Sequence, residues 1–278
     1  MNESQLTLLR RHGIKPVKRR GQNFLLDGNL ARAIAQDTAR LGPCVLELGA
    51  GGGALTVHLL DLCERVTCVE VDRKLCALLR DEFGDRPGFG LREDDLARLD
   101  WPALVAAAGP RPVVAGNLPY VLTSKVLFAL ADLREQVAGG VFMVQREVAD
   151  RLVAVPGSRD YGVLAVVMGS LFAIELVRTV PASVFWPQPE VTSAVVSLVP
   201  RGGWPDAEYA PFLRTVKTVF QQRRKQLGSA LRRLLDLDDA QVAAVTEAAD
   251  VDPVLRAEQV PPARWRQLAA ELAARGWV

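Results

Sequence analysis

Histidine is nearly absent: His12 and His58 are the only two in 278 residues. That scarcity argues against chemistry built on a histidine base. The four cysteines, Cys44, Cys63, Cys68 and Cys76, fall in one part of the chain and form no C-x-x-C pair. A zinc site needs thiolates and imidazoles at tighter spacing, so they read as small buried residues and no metal centre is expected. No apolar run approaches the roughly 20 residues of a membrane span. The opening MNESQLTLLRRHG has no continuous apolar stretch behind a basic start, so it does not read as a secretory signal, and a cytoplasmic location is the expectation.

Hydrophobic residues make up 49% of the chain and charged ones 24%, enough for a sizeable packed core. The net charge of +2 conceals an uneven distribution. Acids are missing between Glu3 and Asp27, where Arg10, Arg11, Lys15, Lys18, Arg19 and Arg20 stand. They are missing again from Tyr209 to Leu235, which holds Arg214, Lys217, Arg223, Arg224, Lys225, Arg232 and Arg233. A single charge run is most simply a solvated helix face. Two in an otherwise balanced chain point to a polyanion, because clustered cations bind phosphates and release condensed counterions.

From residue 43 the chain alternates between strand-length apolar runs and segments of helical spacing. The runs are Cys44–Leu48, Val66–Val71, Gly88–Arg92, Pro112–Ala115 and Gly140–Val144; the spaced segments are Ala54–Asp61, Arg73–Phe83, Trp101–Ala108 and Ser124–Leu133. This alternation predicts an α/β fold, a doubly wound parallel sheet with helices on both faces. Asp27 predicts the cap of a helix running to Arg40. Phe172–Val177 and Thr192–Val199 read as a last pair of strands. Turn residues cluster at 200–205, and Pro211–Phe220, Arg223–Leu235, Asp239–Ala248 and Pro262–Ala274 read as helices. The expected division is a catalytic domain over 1–203, with a basic segment at 1–26, and a small all-helical domain over 204–278.

In open α/β sheets, ligands bind beyond the carboxyl ends of the strands. The first strand ends in Glu47-Leu48-Gly49-Ala50-Gly51-Gly52-Gly53, glycines that let main chain pass close to a ligand. The second ends at Glu70, where a carboxylate can accept from ribose hydroxyls; Asp72 suits a helix cap better. After the third comes Asp95, an acceptor for an adenine amino group. These make an adenosyl-cofactor site, although the glycine spacing, with Ala54 in the last fingerprint position, leaves a nicotinamide dinucleotide open. The fourth strand leads into Asn117-Leu118-Pro119-Tyr120. An adenine amino group is a poor nucleophile because its lone pair is delocalised. An Asn oxygen and a main-chain carbonyl can accept its two N–H bonds and aim the lone pair, while Tyr120 offers a stacking face. That is positioning and electrostatics, with no general base required.

These segments resemble the small-subunit ribosomal RNA adenine N6,N6-dimethyltransferases, and the resemblance spans nearly the whole chain. It is carried by Gly21-Gln22-Asn23-Phe24-Leu25, the glycine loop, Glu70, Asp95 and Asn117–Tyr120. It continues through Gln145–Ala149, Tyr161–Leu164, Phe185-Trp186-Pro187-Gln188-Pro189-Glu190-Val191, Gln222–Lys225 and Asp252–Glu258. The resemblance implies a Rossmann-like class I methyltransferase fold with S-adenosylmethionine as cofactor, bound by Asn23, Leu25, Gly49, Gly51, Glu70, Asp95 and Asn117. It also implies that Asn117 and the Leu118 carbonyl hold the target amino group, with Pro119 fixing the turn and Tyr120 and Phe185 sandwiching the base. Arg19, Arg20, Arg223, Arg224 and Lys225 would meet RNA, and the partner would be the small ribosomal subunit with its 16S rRNA. A monomer is expected. Departures are Arg20 where the family has Phe, Ala50 within the glycine loop, and Gln188 between prolines. The competing readings are the large-subunit methyltransferases of macrolide resistance, a non-catalytic nucleic-acid-binding factor on the same fold, and a small-molecule or NAD enzyme.

Overall fold

The computed structural model describes residues 4–17 and 21–278, and the main chain alone at Tyr120. It divides into two compact units, one formed by the chain up to residue 149 with 174–200, the other by 150–173 with 201–278. The change of pattern near 203 is thus only one of the places where the chain passes between units. The earlier crossings, at 149–150 and 173–174, fall inside regular elements that carry no turn signal.

In the first unit, β1 (Phe24–Leu25) follows a short helix α1 (Gln5–Arg11) and precedes α2 (Gly28–Ala39). Asp27 caps α2, its Oδ1 accepting from the N–H groups of Asn29 and Leu30 at 2.9 and 3.0 Å. The alternation that follows is β2 (Cys44–Leu48), α3 (Thr56–Leu62), β3 (Arg65–Glu70), α4 (Arg73–Phe83), β4 (Phe89–Glu93), α5 (Trp101–Ala108), β5 (Val113–Asn117), α6 (Thr123–Asp132) and β6 (Gly139–Gln145). After α7 (Arg146–Leu152) and α8 (Val163–Leu171) come β7 (Phe172–Val180), β8 (Phe185–Trp186) and β9 (Ser193–Pro200).

Seven strands form one sheet in the order β4-β3-β2-β5-β6-β9-β7. β2 to β6 are parallel and β9 runs antiparallel to β6. All five residues of β2 are buried, as a strand covered on both faces requires. Full burial of each of Val45, Leu46 and Leu48 contributes roughly 1.5–3 kcal/mol. The expected last strand pair does sit side by side, but its connection carries β8, which pairs antiparallel with β1 in a separate two-stranded ladder. This is a doubly wound, Rossmann-like sheet with a strand antiparallel to β6 beyond its parallel part. Strand order reverses between β2 and β5, so a crevice opens beyond their carboxyl ends.

The second unit is helical: α8, then α9 (Asp206–Val219), α10 (Leu227–Leu235), α11 (Asp239–Ala248) and α12 (Pro262–Ala274). Its centre is Trp265, fully buried, whose indole N–H donates to the Val260 carbonyl at 3.1 Å. The Tyr161 hydroxyl donates to that same carbonyl at 2.8 Å. Two expected helix starts differ. α9 begins at Asp206 and contains Pro211 in its interior, and Arg223–Gln226 form a turn rather than the first turn of α10. Long-range main-chain bonds decide the second case: the N–H groups of Leu227 and Gly228 donate to the carbonyls of Leu255 and Pro253 at 2.7 and 2.9 Å.

Candidate active site

At the switch point lies a cavity of about 360 Å³, within the range of small-ligand sites. The glycine loop forms one wall. Gly49 has φ +68°, a conformation that L side chains rarely adopt, and its N–H donates to the Val69 carbonyl at 2.8 Å, folding the loop back across β3. At the end of β5, an added Cβ on Gly116 would stand 2.3 Å from the Leu48 carbonyl oxygen. The strand can approach the loop only because residue 116 has no side chain.

The expected cofactor residues meet here: Asn23, Leu25, Gly49, Gly51, Glu70, Asp95 and Asn117 all line the cavity, together with Leu118 and Pro119. Glu70 is buried. Its Oε2 accepts from the Gly51 N–H at 2.9 Å, and its Oε1 from the N–H groups of Val71 and Asp72 at 2.9 and 3.0 Å. Burial pushes its carboxyl above the usual range against the opposing pull of these bonds. Asp72 caps α4 by accepting from the Lys74 N–H, which leaves Glu70 as the acid of the strand end. Asp95 Oδ1 accepts from the Ala97 N–H at 2.9 Å, which holds its carboxylate at the cavity beside Leu96 and Ala97.

Asn117 Nδ2 donates to the Asn23 main-chain carbonyl at 3.0 Å. One of its two N–H bonds is thereby committed, which fixes the carboxamide with its acceptor oxygen on the opposite edge from the Asn23 carbonyl. The Leu118 N–H bonds the Met143 carbonyl at 3.2 Å, and the Pro119 carbonyl closes the following turn by accepting from the Leu122 N–H at 2.9 Å. Tyr120 heads a 3₁₀ turn, Tyr120–Leu122.

Phe185 stands apart. Its ring is only 4% exposed, packed in the core with Leu25, Ile34 and Val180, and it does not line the cavity. It faces Leu25 across the β1–β8 ladder. The open stacking face expected of it is covered in this arrangement, because the ladder turns the ring inward.

Sequence reasoning assigned no role to Glu47, Gln5 or Gln22, which also line the cavity. Glu47 is the one charged residue in fully buried β2. Its carboxyl is pushed up to about 7, chiefly by burial, and accepts from Thr56 Oγ1 at 2.7 Å and Cys68 Sγ at 3.4 Å. The signal was an acid inside an apolar strand. Gln5 Nε2 donates to the Gly52 carbonyl at 2.7 Å, bringing α1 onto the glycine loop; nothing in the local pattern of α1 announces that contact. The same region gathers His12, Asp81 and Glu82, whose ligand atoms lie within 4.8 Å of one another. Arg11 pairs with the Glu82 oxygen that His12 also approaches, so these groups tie α1 to α4 as an ion-pair cluster.

Of the expected RNA contacts, Arg19 and Arg20 lie outside the described residues. Arg224 and Lys225 are exposed. Arg223 is engaged within its own unit: its Nε donates to Glu258 Oε2 at 2.7 Å and its guanidinium also reaches the Arg159 carbonyl. The two tail motifs thus pack on each other, a bridge between Gln226 and Arg256 completing the junction.

The charge of the cavity lining is one-sided. Among the described residues lining it there is no Lys, Arg or His, whereas Glu47, Glu70 and Asp95 all line it.

A family model described as "Ribosomal RNA adenine dimethylase" matches residues 15–274. Proteins called "Ribosomal RNA small subunit methyltransferase A" from Anaeromyxobacter sp. (strain K) and Myxococcus xanthus (strain DK1622) are 44% and 42% identical, covering 95% and 94% of this chain and 96% and 92% of theirs. Among solved structures, the 23S rRNA methyltransferase ErmE is 27% identical with a TM-score of 0.68, over 90% of this chain and all of that one. A dimethyladenosine transferase from Plasmodium falciparum, 20% identical over 91% of this chain and 98% of its own, shares the fold with a TM-score of 0.73. The chain belongs to the family of small-subunit ribosomal RNA adenine N6,N6-dimethyltransferases, which are S-adenosylmethionine-dependent enzymes.

Proposed function

We propose that this enzyme dimethylates N6 of two adjacent adenosines in the 3′-terminal hairpin loop of small-subunit rRNA during ribosome maturation, acting as a monomer on 16S rRNA within the small ribosomal subunit. The observation that carries the reading is Asn117: with one N–H committed to a carbonyl, its oxygen is an acceptor at the end of β5, in a cavity lined by no Lys, Arg or His among the described residues. An adenine amino group has two N–H bonds to donate, and the Leu118 carbonyl is the second acceptor.

S-adenosylmethionine supplies a methyl group on a sulfonium that leaves as a neutral thioether. Glu70 and Asp95 would accept from its ribose and adenine, and the glycine loop would meet its methionine part. Asn117 and Leu118 localise the lone pair on N6; the new N–C bond forms with it, and the proton departs afterward to solvent. Catalysis is therefore alignment. Tyr120 stacks on the base, which must leave its own stack at a cost of a few kcal/mol. Phe185 joins that sandwich only after one face of its ring is uncovered. Arg224 and Lys225 meet phosphates and position the RNA without reading its sequence.

The test is methyl incorporation from labelled cofactor into unmethylated small and large subunits. Signal confined to small subunits and lowered about 10³-fold in Asn117→Ala is expected, the scale of removing one aligned donor or acceptor. Signal on large subunits would instead support the resistance-type reading. No signal on either, with S-adenosylhomocysteine still bound, would support a binding factor.

A further inference from the structure

Two motifs 94 residues apart in the chain meet at one hydrogen bond, from Asn117 Nδ2 to the Asn23 main-chain carbonyl. A carboxamide has unlike edges. Rotated by half a turn, Asn117 would set oxygen against oxygen, so this carbonyl selects one orientation of the side chain. Donation from Nδ2 also increases the negative charge on Oδ1, which strengthens it as an acceptor.

Both partners are held from behind. On one side, the Leu118 N–H is tied to the Met143 carbonyl and Gly116 sits tight on the Leu48 carbonyl. On the other, Asn23 Nδ2 donates to the Gly21 carbonyl at 3.3 Å, Phe24 and Leu25 pair with Trp186 and Phe185, and the Leu26 N–H bonds the Val184 carbonyl at 2.8 Å. The segment Gly21–Leu25 therefore has two duties. It walls the cofactor cavity, and its main chain faces the residue that grips the substrate.

We infer that the Asn23 carbonyl is a positioning group for methyl transfer: it orients the Asn117 carboxamide, and it makes alignment of the target amino group conditional on the seating of the segment that encloses the cofactor. The inference rests on the reading of Asn117 as the target-amino clamp. Its consequence is reciprocal. A side chain at 117 that the Asn23 carbonyl repels must disturb the cofactor cavity, even with no RNA present.

Calorimetric binding of S-adenosylhomocysteine to the full chain tests this, comparing Asn117→Ala with Asn117→Asp at pH 8.5 and 5.5. Alanine leaves the carbonyl to water and serves as the reference for loss of the Asn117 side chain, whatever that loss itself costs in affinity. Aspartate has the shape of Asn but, ionised, presents only acceptors and a charge. Affinity is expected to be about 10-fold below that of the Ala variant at pH 8.5, the scale of one unmet, part-buried hydrogen bond. Protonation gives it an O–H donor, and since an ordinary Asp is still mostly ionised at pH 5.5, the ratio between the variants narrows there without reaching unity. The other titratable groups facing this region are Glu47, Glu70, Asp72 and Asp95; they and the ligand titrate in both variants, so the ratio removes them.

A ratio near unity at both pH values overturns the coupling. Failure of the wild-type chain to bind S-adenosylhomocysteine overturns the cofactor reading instead. The hydrogen bond itself is checked without a folding risk in the wild-type chain, where the Asn117 carboxamide signal, identified by its absence in Asn117→Ala, should show one proton protected from solvent exchange. Rapid exchange of both protons overturns the inference.

Discussion

The cavity of the first unit and the basic turn of the second handle charge in opposite ways. Around the cavity, polar side chains are enclosed and spoken for: Glu70 accepts three main-chain N–H bonds, Glu47 is bonded to Thr56 and Cys68, and Asn117 is held by Asn23. In the basic turn, Arg224 and Lys225 are exposed, and Arg223 alone is locked into an ion pair. The difference follows from what each meets. A small cofactor and one amino group reward donors and acceptors fixed in advance, since ordering cost is then met in folding. A phosphate backbone is satisfied by mobile cations at any of several positions, and the favourable term is release of counterions.

The sharpest way to break this contrast is to spoil the fixed side. Gly116→Ala sets a Cβ against the Leu48 main-chain oxygen, which cannot rotate away. A loss of about 3 kcal/mol in chemical unfolding is expected, with S-adenosylhomocysteine binding weakened at the same time. Wild-type stability in that variant would mean that β5 and the glycine loop are not rigidly fitted.

Glu47 gives the next largest effect. Its folded-state pKa of about 7 lies above the value of 4.5 that it has when unperturbed, so the native state holds the extra proton. Its stabilising share is therefore complete below about pH 4.5 and is lost as pH rises through about 7, by up to about 3 kcal/mol at 1.36 kcal/mol per unit. Glu47→Gln keeps an acceptor for Thr56 and carries no charge, so its unfolding free energy should stay flatter between pH 5 and 8. Parallel curves for the two proteins would remove the buried acid from the account.

The smallest effects sharpen the mobile side. Replacing Arg224 and Lys225 together by Ala should weaken small-subunit RNA binding about 10-fold and lower the salt slope by roughly 0.9 for each phosphate that is no longer neutralised. Arg223→Ala should instead cost about 1 kcal/mol of stability, because Glu258 is left without its partner, and leave the slope unchanged. If Arg223→Ala lowers the slope as much as the pair does, the locked and free cations are not distinct.

The strand–helix alternation was legible because strands covered on both faces are mostly apolar along their length, as β2, β5 and β6 are, and β2 to β6 fall where the runs stand. Asp27 and Asp72 were legible as caps because capping is local chemistry. Glu70 and Asp95 were legible in the same way: β3 and β4 end where apolar runs end, and parallel strands bring those ends together, whereas Glu47, inside β2, was not. The β1–β8 ladder was not legible, since two residues of strand carry no period and their pairing spans the whole sheet. Nor was the turn at Arg223–Gln226, whose local sequence favours helix and whose partners lie near residue 255.

By itself, the sequence determined the layer order, the glycine loop, the acids at the strand ends and the Asn117–Tyr120 turn, all set by local period and backbone sterics. Only the tertiary structure decided that Phe185 points into the core, that Arg223 is a tie between tail motifs, and that the Asn23 carbonyl faces Asn117. Each of those depends on which distant main-chain groups are left to bond, and that is settled only when each unit packs.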